Sequence, residues 1–340
     1  MKDLSVTAMS PAQSLPVYRA ESVTVTHGAN EGDALSVMEE LMLDDIYGLD
    51  PTAAPQRLSV TTLEDGGFEI GPDTELGVPG AALHLDCALS LMSPDGQTTD
   101  ALVLVEVDED GFVAAIYLLP LAPLSPKTDY TLVGMDRDGA RQKLAQVACV
   151  SFTRGTHITM ASGAQVPIEE LRVGDRVLTR DDGVQQVRWI GHSTVRAQGA
   201  FAPILIRAKA LNNENDLLVS PDHRLFVYQR RDEIGAGQSE ILVKARHLVN
   251  GNTVIVREGG FVEYFQVLFD RHHIIYAEGI AAESMLIDPR TRPALPAEML
   301  ETVAPLLDRH GRGGEHGLDV GRSLLDRPDA IELLKRASTR

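Results

Sequence analysis

The chain has 340 residues, 44% apolar and 24% charged, which fits a folded protein with room for two domains. Its formal charge of −18 lies in the first part: residues 1–150 hold 24 acidic against 7 basic side chains, and residues 151–340 hold 25 against 24. An acidic half and a second half without a basic stripe exclude nucleic acid as a partner, and no stretch is apolar for long enough to span a membrane.

Residues 1–18, rich in Ser, Pro and Ala, read as a flexible leader. They lack the continuous apolar core of a secretory signal, which leaves the cytoplasm or a non-classical export route. Alternation from residue 22 onward predicts strands over 22–26, 58–62, 82–92, 101–107 and 112–119. The separators 64–67, 94–96 and 109–111 each pair an Asp with a following Gly, the chemistry of tight turns. Leu35, Met38, Leu41 and Met42 recur at helical spacing and predict a helix over 33–46. Residues 19–150 thus read as an acidic, β-rich domain with no catalytic constellation. The two cysteines, Cys87 and Cys149, form neither a disulfide framework nor a zinc-finger spacing.

The second half repeats itself. Residues 166–183 align with 243–260 without a gap, and six of the 18 positions are identical. They are Val166/Val243, Leu171/Leu248, Gly174/Gly251, Val177/Val254, Arg180/Arg257 and Gly183/Gly260. Each copy reads as a short helical turn, a tight turn at the central Gly, a strand and a Gly-ended hairpin. A duplicated β unit predicts a pseudo-two-fold β domain over roughly 151–288. Beyond it, residues 289–340 read as a helical extension, with helices over 293–309 and 326–337 and a linker over 311–321. Asp326 and Asp329 there form a capping-box-like pair, with Pro328 in the first turn.

Chemistry concentrates at three places: Ser151-Phe152-Thr153-Arg154-Gly155-Thr156, Ser220-Pro221-Asp222-His223, and Asp270-Arg271-His272-His273 followed by Tyr276-Ala277-Glu278-Gly279. On these motifs residues 151–288 resemble a Hint domain, the self-processing module shared by hedgehog C-terminal regions and inteins. The resemblance implies a horseshoe of β-strands with internal pseudo-two-fold symmetry. It also implies cleavage of the bond before the domain's own first residue, here Val150–Ser151. The hydroxyl of Ser151 would attack the Val150 carbonyl and turn an amide into an ester by an N-to-O acyl shift.

The family's Thr-x-x-His is matched with Ser in place of Thr. His223 would protonate the nitrogen of Ser151, and Ser220 would orient it or hydrogen-bond the scissile amide. His272, or His273 by a one-residue slip, would transfer a proton as the tetrahedral intermediate breaks down. The substrate would be the chain's own N-terminal domain, in cis, and no cofactor or metal is implied.

Three departures narrow this expectation. The nucleophile is a hydroxyl, a weaker nucleophile than a thiol, and Cys149 stands two residues out of register. Residues 280–284 hold no Asn to cyclise, which excludes splicing. Residues 289–340 show no apolar pocket for a sterol, so the acceptor of the acyl group is left open between water and another small molecule. Two readings from other classes stand beside self-processing: a catalytically silent Hint fold that binds a partner, and a hydrolase acting in trans with Ser151, His223 and Asp270.

Overall fold

Nine strands lie in the first part of the chain: β1 (Gln13–Arg19), β2 (Val23–His27), β3 (Ile46–Leu49), β4 (Gln56–Thr62), β5 (Phe68–Ile70), β6 (Ala82–Met92), β7 (Thr98–Val107), β8 (Val113–Pro120) and β9 (Tyr130–Asp136). These come from a computed structural model that describes residues 13–63, 65–229, 232, 234–288, 291–292, 295, 318–320, 325 and 329–338. The chain divides into two units, residues 1–144 and 145–340, with the boundary inside helix α1 (Ala140–Ala148).

The first unit is one sheet in the order β2-β3-β9-β6-β5-β4-β1-β8-β7, and β7 returns to pair with β6. Six strands therefore close into a barrel, which removes the unpaired edges an open sheet would expose. Leu89, Val103, Leu118 and Leu132 are fully buried in its core together with Cys87. Burial and the neighbouring Asp86 push the Cys87 thiol up to about 12, so it is a packing residue and not a nucleophile. The three Asp-Gly turns behave as their chemistry predicts. Gly66, Gly96 and Gly111 all have positive φ, and each donates its N–H to the carbonyl three residues earlier.

Two expectations for this unit are overturned. Residues 13–18 of the expected leader belong to β1, paired with β4 on one side and β8 on the other. Pro16 disguised the strand, because proline inside a strand ordinarily argues against one. Residues 1–12 lie outside the described residues. The helix expected over 33–46 is also absent. A single 3-10 turn at Met38–Glu40 is all that forms, and Met42 is exposed. The backbone of 32–35 instead hydrogen-bonds to β2, and the Met38 N–H goes to Asp86 Oδ2 at 2.8 Å. Tertiary pairing overrides a periodicity that propensity alone supports.

The second unit continues with β10 (Phe152–Thr153), β11 (His157–Thr159), β12 (Gln165–Pro167), β13 (Arg176–Leu178), β14 (Val184–Gln186), β15 (Trp189–Arg196), β16 (Ile204–Ile206) and β17 (Leu217–Val219). Then follow β18 (Arg224–Tyr228), β19 (Glu240–Lys244), β20 (Val254–Val256), β21 (Phe261–Leu268), β22 (Ile274–Ala277), β23 (Ile280–Glu283), β24 (Leu318–Val320) and helix α2 (Ala330–Ser338). One sheet runs β15-β21-β10-β17-β16-β20, a second runs β12-β11-β22-β23-β18-β19-β24, and β13 pairs with β14.

The duplication is visible in the second of these sheets. β11 and β12 stand against β22 as β18 and β19 stand against β23. The short helical turns of the two copies, Ile168–Glu170 and Ala245–Leu248, start 77 residues apart. They also dock alike: the Ile168 N–H donates to the Thr156 carbonyl and the Ala245 N–H to the His223 carbonyl. The matched glycines Gly174 and Gly251, and Gly183 and Gly260, all adopt positive φ, which explains why the repeat keeps them. Val177 and Val254 are both fully buried in the shared core.

In the extension, α2 overlaps the helix expected over 326–337 and runs one residue beyond it, while the cap at Asp326 and, apart from Leu295, the helix expected over 293–309 lie outside the described residues. Part of the expected linker forms β24, parallel to β19. The second unit is thus mainly β with a short helical tail. No described helix is long and apolar enough to cross a membrane.

Candidate active site

Ser151 immediately precedes β10 and is 2% exposed. Pairing of Phe152 with Val219 brings the start of β10 against the end of β17, and thereby Ser151 against Ser220. Residues 220–223 then form a turn closed by the His223 N–H on the Ser220 carbonyl at 3.0 Å, with Pro221 at its second position. The turn is held from outside by the second copy's helical turn, whose Ala245 and Arg246 N–H groups donate to the His223 and Pro221 carbonyls. The repeat therefore presents the Ser-Pro-Asp-His segment to Ser151.

The contacts centre on one peptide. The Ser151 N–H donates to Ser220 Oγ at 3.0 Å, and the Ser220 N–H donates back to the Ser151 carbonyl at 2.9 Å. Ser220 Oγ in turn donates to the Cys149 carbonyl at 3.3 Å. One hydroxyl thus bridges the backbone on both sides of Val150 and fixes the orientation of the Val150–Ser151 peptide. Gln266 Nε2 on β21 donates to Ser151 Oγ at 2.9 Å.

His223 is fully buried, with Phe152 edge-on at 4.4 Å between ring centroids. Its Nδ1 lies 3.1 Å from the Ser151 carbonyl and its Nε2 lies 3.1 Å from the Glu283 carbonyl. Burial lowers its pKa below the ordinary histidine value, and the Glu283 charge and the two carbonyls oppose that shift.

Glu283 is itself fully buried at the end of β23. Burial alone would raise its pKa, but the Arg224 guanidinium and His272 beside it bring it to about 2. Arg224 reaches it through Nε at 2.7 and 2.9 Å and through a terminal nitrogen at 2.6 Å.

The structure brings Ser151, Ser220 and His223 together directly. His272 joins at one remove, its Nε2 3.2 Å from Glu283 Oε2. His273, the neighbour in register, faces Asp182 at 3.1 Å. Cys149 packs in an apolar cluster with Leu268, Met285 and Ile287. The trans-hydrolase triad does not assemble: Asp270 is bound by Arg188 at 2.7 and 3.0 Å, and the two His223 ring nitrogens face carbonyls.

Gln266 and Glu283 escaped the sequence reading. Gln266 is the one amide within the apolar run Tyr264-Phe265-Gln266-Val267-Leu268, a signal that a buried polar group has a partner. A small cleft is lined by Ser151, Ser193, Ser220, Tyr264 and Gln266. Among the described residues no cluster of His, Cys, Asp and Glu is arranged to hold a metal ion.

A family model of the Hint domain matches residues 150–289. Among solved structures the chain is similar to the Ssp DnaB mini-intein variant M86, at 11% identity over 41% of this chain and 97% of that one, with a TM-score of 0.28. It is also similar to a bacterial intein-like domain from Clostridium thermocellum, at 17% identity over 39% and 97% of the two chains, with a TM-score of 0.28. The gp41-1 intein is similar at 14% identity over 39% and 97%, with a TM-score of 0.25. No curated protein matches the chain. The motifs and the duplicated β unit agree with the family match, and residues 150–289 of this chain form a Hint domain.

Proposed function

We propose that the Hint domain cleaves or transfers the preceding part of its own chain at Val150–Ser151 through an N-to-O acyl shift. The observation that carries this reading is the Ser220 hydroxyl, which holds the Ser151 amide at 3.0 Å and the Cys149 carbonyl at 3.3 Å. That bridge presents one particular peptide bond to one particular hydroxyl, the positional advantage on which intramolecular attack depends.

Ser151 Oγ attacks the Val150 carbonyl carbon and its proton passes to solvent. The C–N bond then breaks as the nitrogen of Ser151 gains a proton, leaving an ester on Oγ and a free amine. His223 supplies that proton from Nδ1, which rests on the carbonyl of the same residue. Gln266 stabilises negative charge on Oγ, both during attack and when Oγ later leaves the ester. The small, largely enclosed cleft beside Ser151 leaves room for a nucleophile of about the size of water as the final acceptor.

N-terminal sequencing of the fragments from the incubated chain tests this reading. A fragment beginning at Ser151, absent from Ser151→Ala and strongly reduced in His223→Ala, is the expected result. A fragment that persists in Ser151→Ala, or begins elsewhere, would refute it.

A further inference from the structure

His223 faces two carbonyl oxygens, and a carbonyl can only accept a hydrogen bond. A neutral imidazole has one N–H and satisfies one of them; the imidazolium has two and satisfies both. Only the imidazolium completes both hydrogen bonds, although burial of its charge outweighs them and holds the folded pKa below the ordinary value. The Nε2 partner is the backbone of Glu283, whose buried side chain is a carboxylate paired with Arg224 and His272.

The Glu283 carboxylate accepts from the Arg224 backbone N–H at 3.1 Å as well as from its guanidinium, and it faces His272. Arg224 directly follows His223 in the chain, so the same clamp fixes both ends of the contact. Its neighbour Ser284 exchanges hydrogen bonds with His273, pinning the residue after the clamp.

We propose that Glu283 is a positioning residue for the cleavage. Its clamped side chain fixes the carbonyl that takes the Nε2–H of His223, and its negative charge favours the protonated ring that delivers a proton from Nδ1. This rests on the cleavage reading above. When Nδ1 gives its proton to the leaving nitrogen, the ring is left neutral with its proton on Nε2, still bonded to Glu283. One contact survives the transfer, so the ring keeps its place and regains a proton from solvent.

The charged groups facing His223 are Glu283, which favours its protonated form, and Arg224, which opposes it, with His272 behind Glu283. Removing each charge therefore has an opposite effect. The test is an NMR titration of the His223 ring in the full chain carrying Ser151→Ala, which keeps it uncleaved, with the resonance assigned by its loss in His223→Gln.

Glu283→Gln should move the titration to lower pH, and Arg224→Gln should move it to higher pH. With Ser151 intact, Glu283→Gln should slow hydroxylamine cleavage by on the order of tenfold to a hundredfold and move its pH profile in the same direction as the titration. Should Glu283→Gln fail to fold, the upward shift in Arg224→Gln carries the test alone. A titration unmoved in both variants, or moved the same way in both, would overturn the proposal. Opposite shifts in a chain whose wild type never cleaves would uphold the coupling of Glu283 to His223 and refute the cleavage reading alone.

Discussion

Ser220 and Ser151 hold each other by two hydrogen bonds, the Ser151 amide on the Ser220 hydroxyl at 3.0 Å and the Ser220 amide on the Ser151 carbonyl at 2.9 Å. The pairing arises where β10 meets β17, the adjacent central strands of their sheet. The sequence Ser-Pro-Asp-His then needs only its own turn to bring His223 back to the same peptide. Ser220→Ala removes the acceptor of a buried N–H, which costs about 1–3 kcal/mol of stability. It should slow cleavage by on the order of tenfold to a hundredfold, because the scissile peptide loses its orientation. Ser220→Thr keeps the hydroxyl and should retain cleavage; rate measurements on the two variants separate orientation from packing.

Ser151→Cys puts a thiol in place of the hydroxyl proposed to attack. A thiol ionises more readily and its thiolate is the better nucleophile, so the variant should release the N-terminal fragment faster than the wild type. The intermediate becomes a thioester, which dithiothreitol should cleave. A Cys variant slower than the wild type would mean that the thiol does not fit the hydrogen bond from Gln266.

Gly191 lies directly opposite Gln266 across the β15–β21 ladder. A Cβ at Gly191 would clash with the Trp189 ring and with Gln266 Oε1. Gly191→Ala must therefore displace the amide that holds Ser151 Oγ. It should lower stability by about 1–3 kcal/mol and slow cleavage together, while Gln266→Ala should slow cleavage with a smaller loss of stability. Denaturant titrations beside cleavage rates would separate the two.

The buried pair His223 and Glu283 makes the second unit acid-sensitive in two windows. His223 has a folded pKa below its ordinary 6.5, so the unfolded chain binds the proton more readily there. Its contribution to stability is full above pH 6.5 and is lost as pH falls from 6.5 through its lower folded value. Glu283 sits at about 2 against an ordinary 4.5, so its contribution is full above 4.5 and is lost as pH falls toward about 2. Urea midpoints measured from pH 7.5 to 3 should show both declines, and His223→Gln should remove the first. A midpoint flat between pH 7 and 5 in the wild type would contradict this assignment.

Much of the second unit was legible because its chemistry is local. The repeat carries its own turns, and Gly174 and Gly251 mark positions where only positive φ closes the loop. Ser151, Ser220 and His223 stand in short motifs whose spacing survives in the fold. Gln266 and Glu283 were not legible, since each acts through a contact between strands distant in sequence: β21 against the start of β10, and β23 against β18. The first unit misled in the opposite way. Its helical periodicity at residues 33–46 and its proline-broken first strand were both overruled by pairing partners far along the chain.

The most direct test of self-processing at Val150–Ser151 is intact mass spectrometry of the full chain before and after incubation with hydroxylamine. From 36.9 kDa over 340 residues, the expected products are roughly 16 and 21 kDa by proportion to length, the smaller carrying a hydroxamate at Val150. That pair of masses establishes an ester at Ser151. A single unchanged mass across pH 5 to 8 would contradict the account and leave the Hint fold of this chain as a silent, partner-binding module.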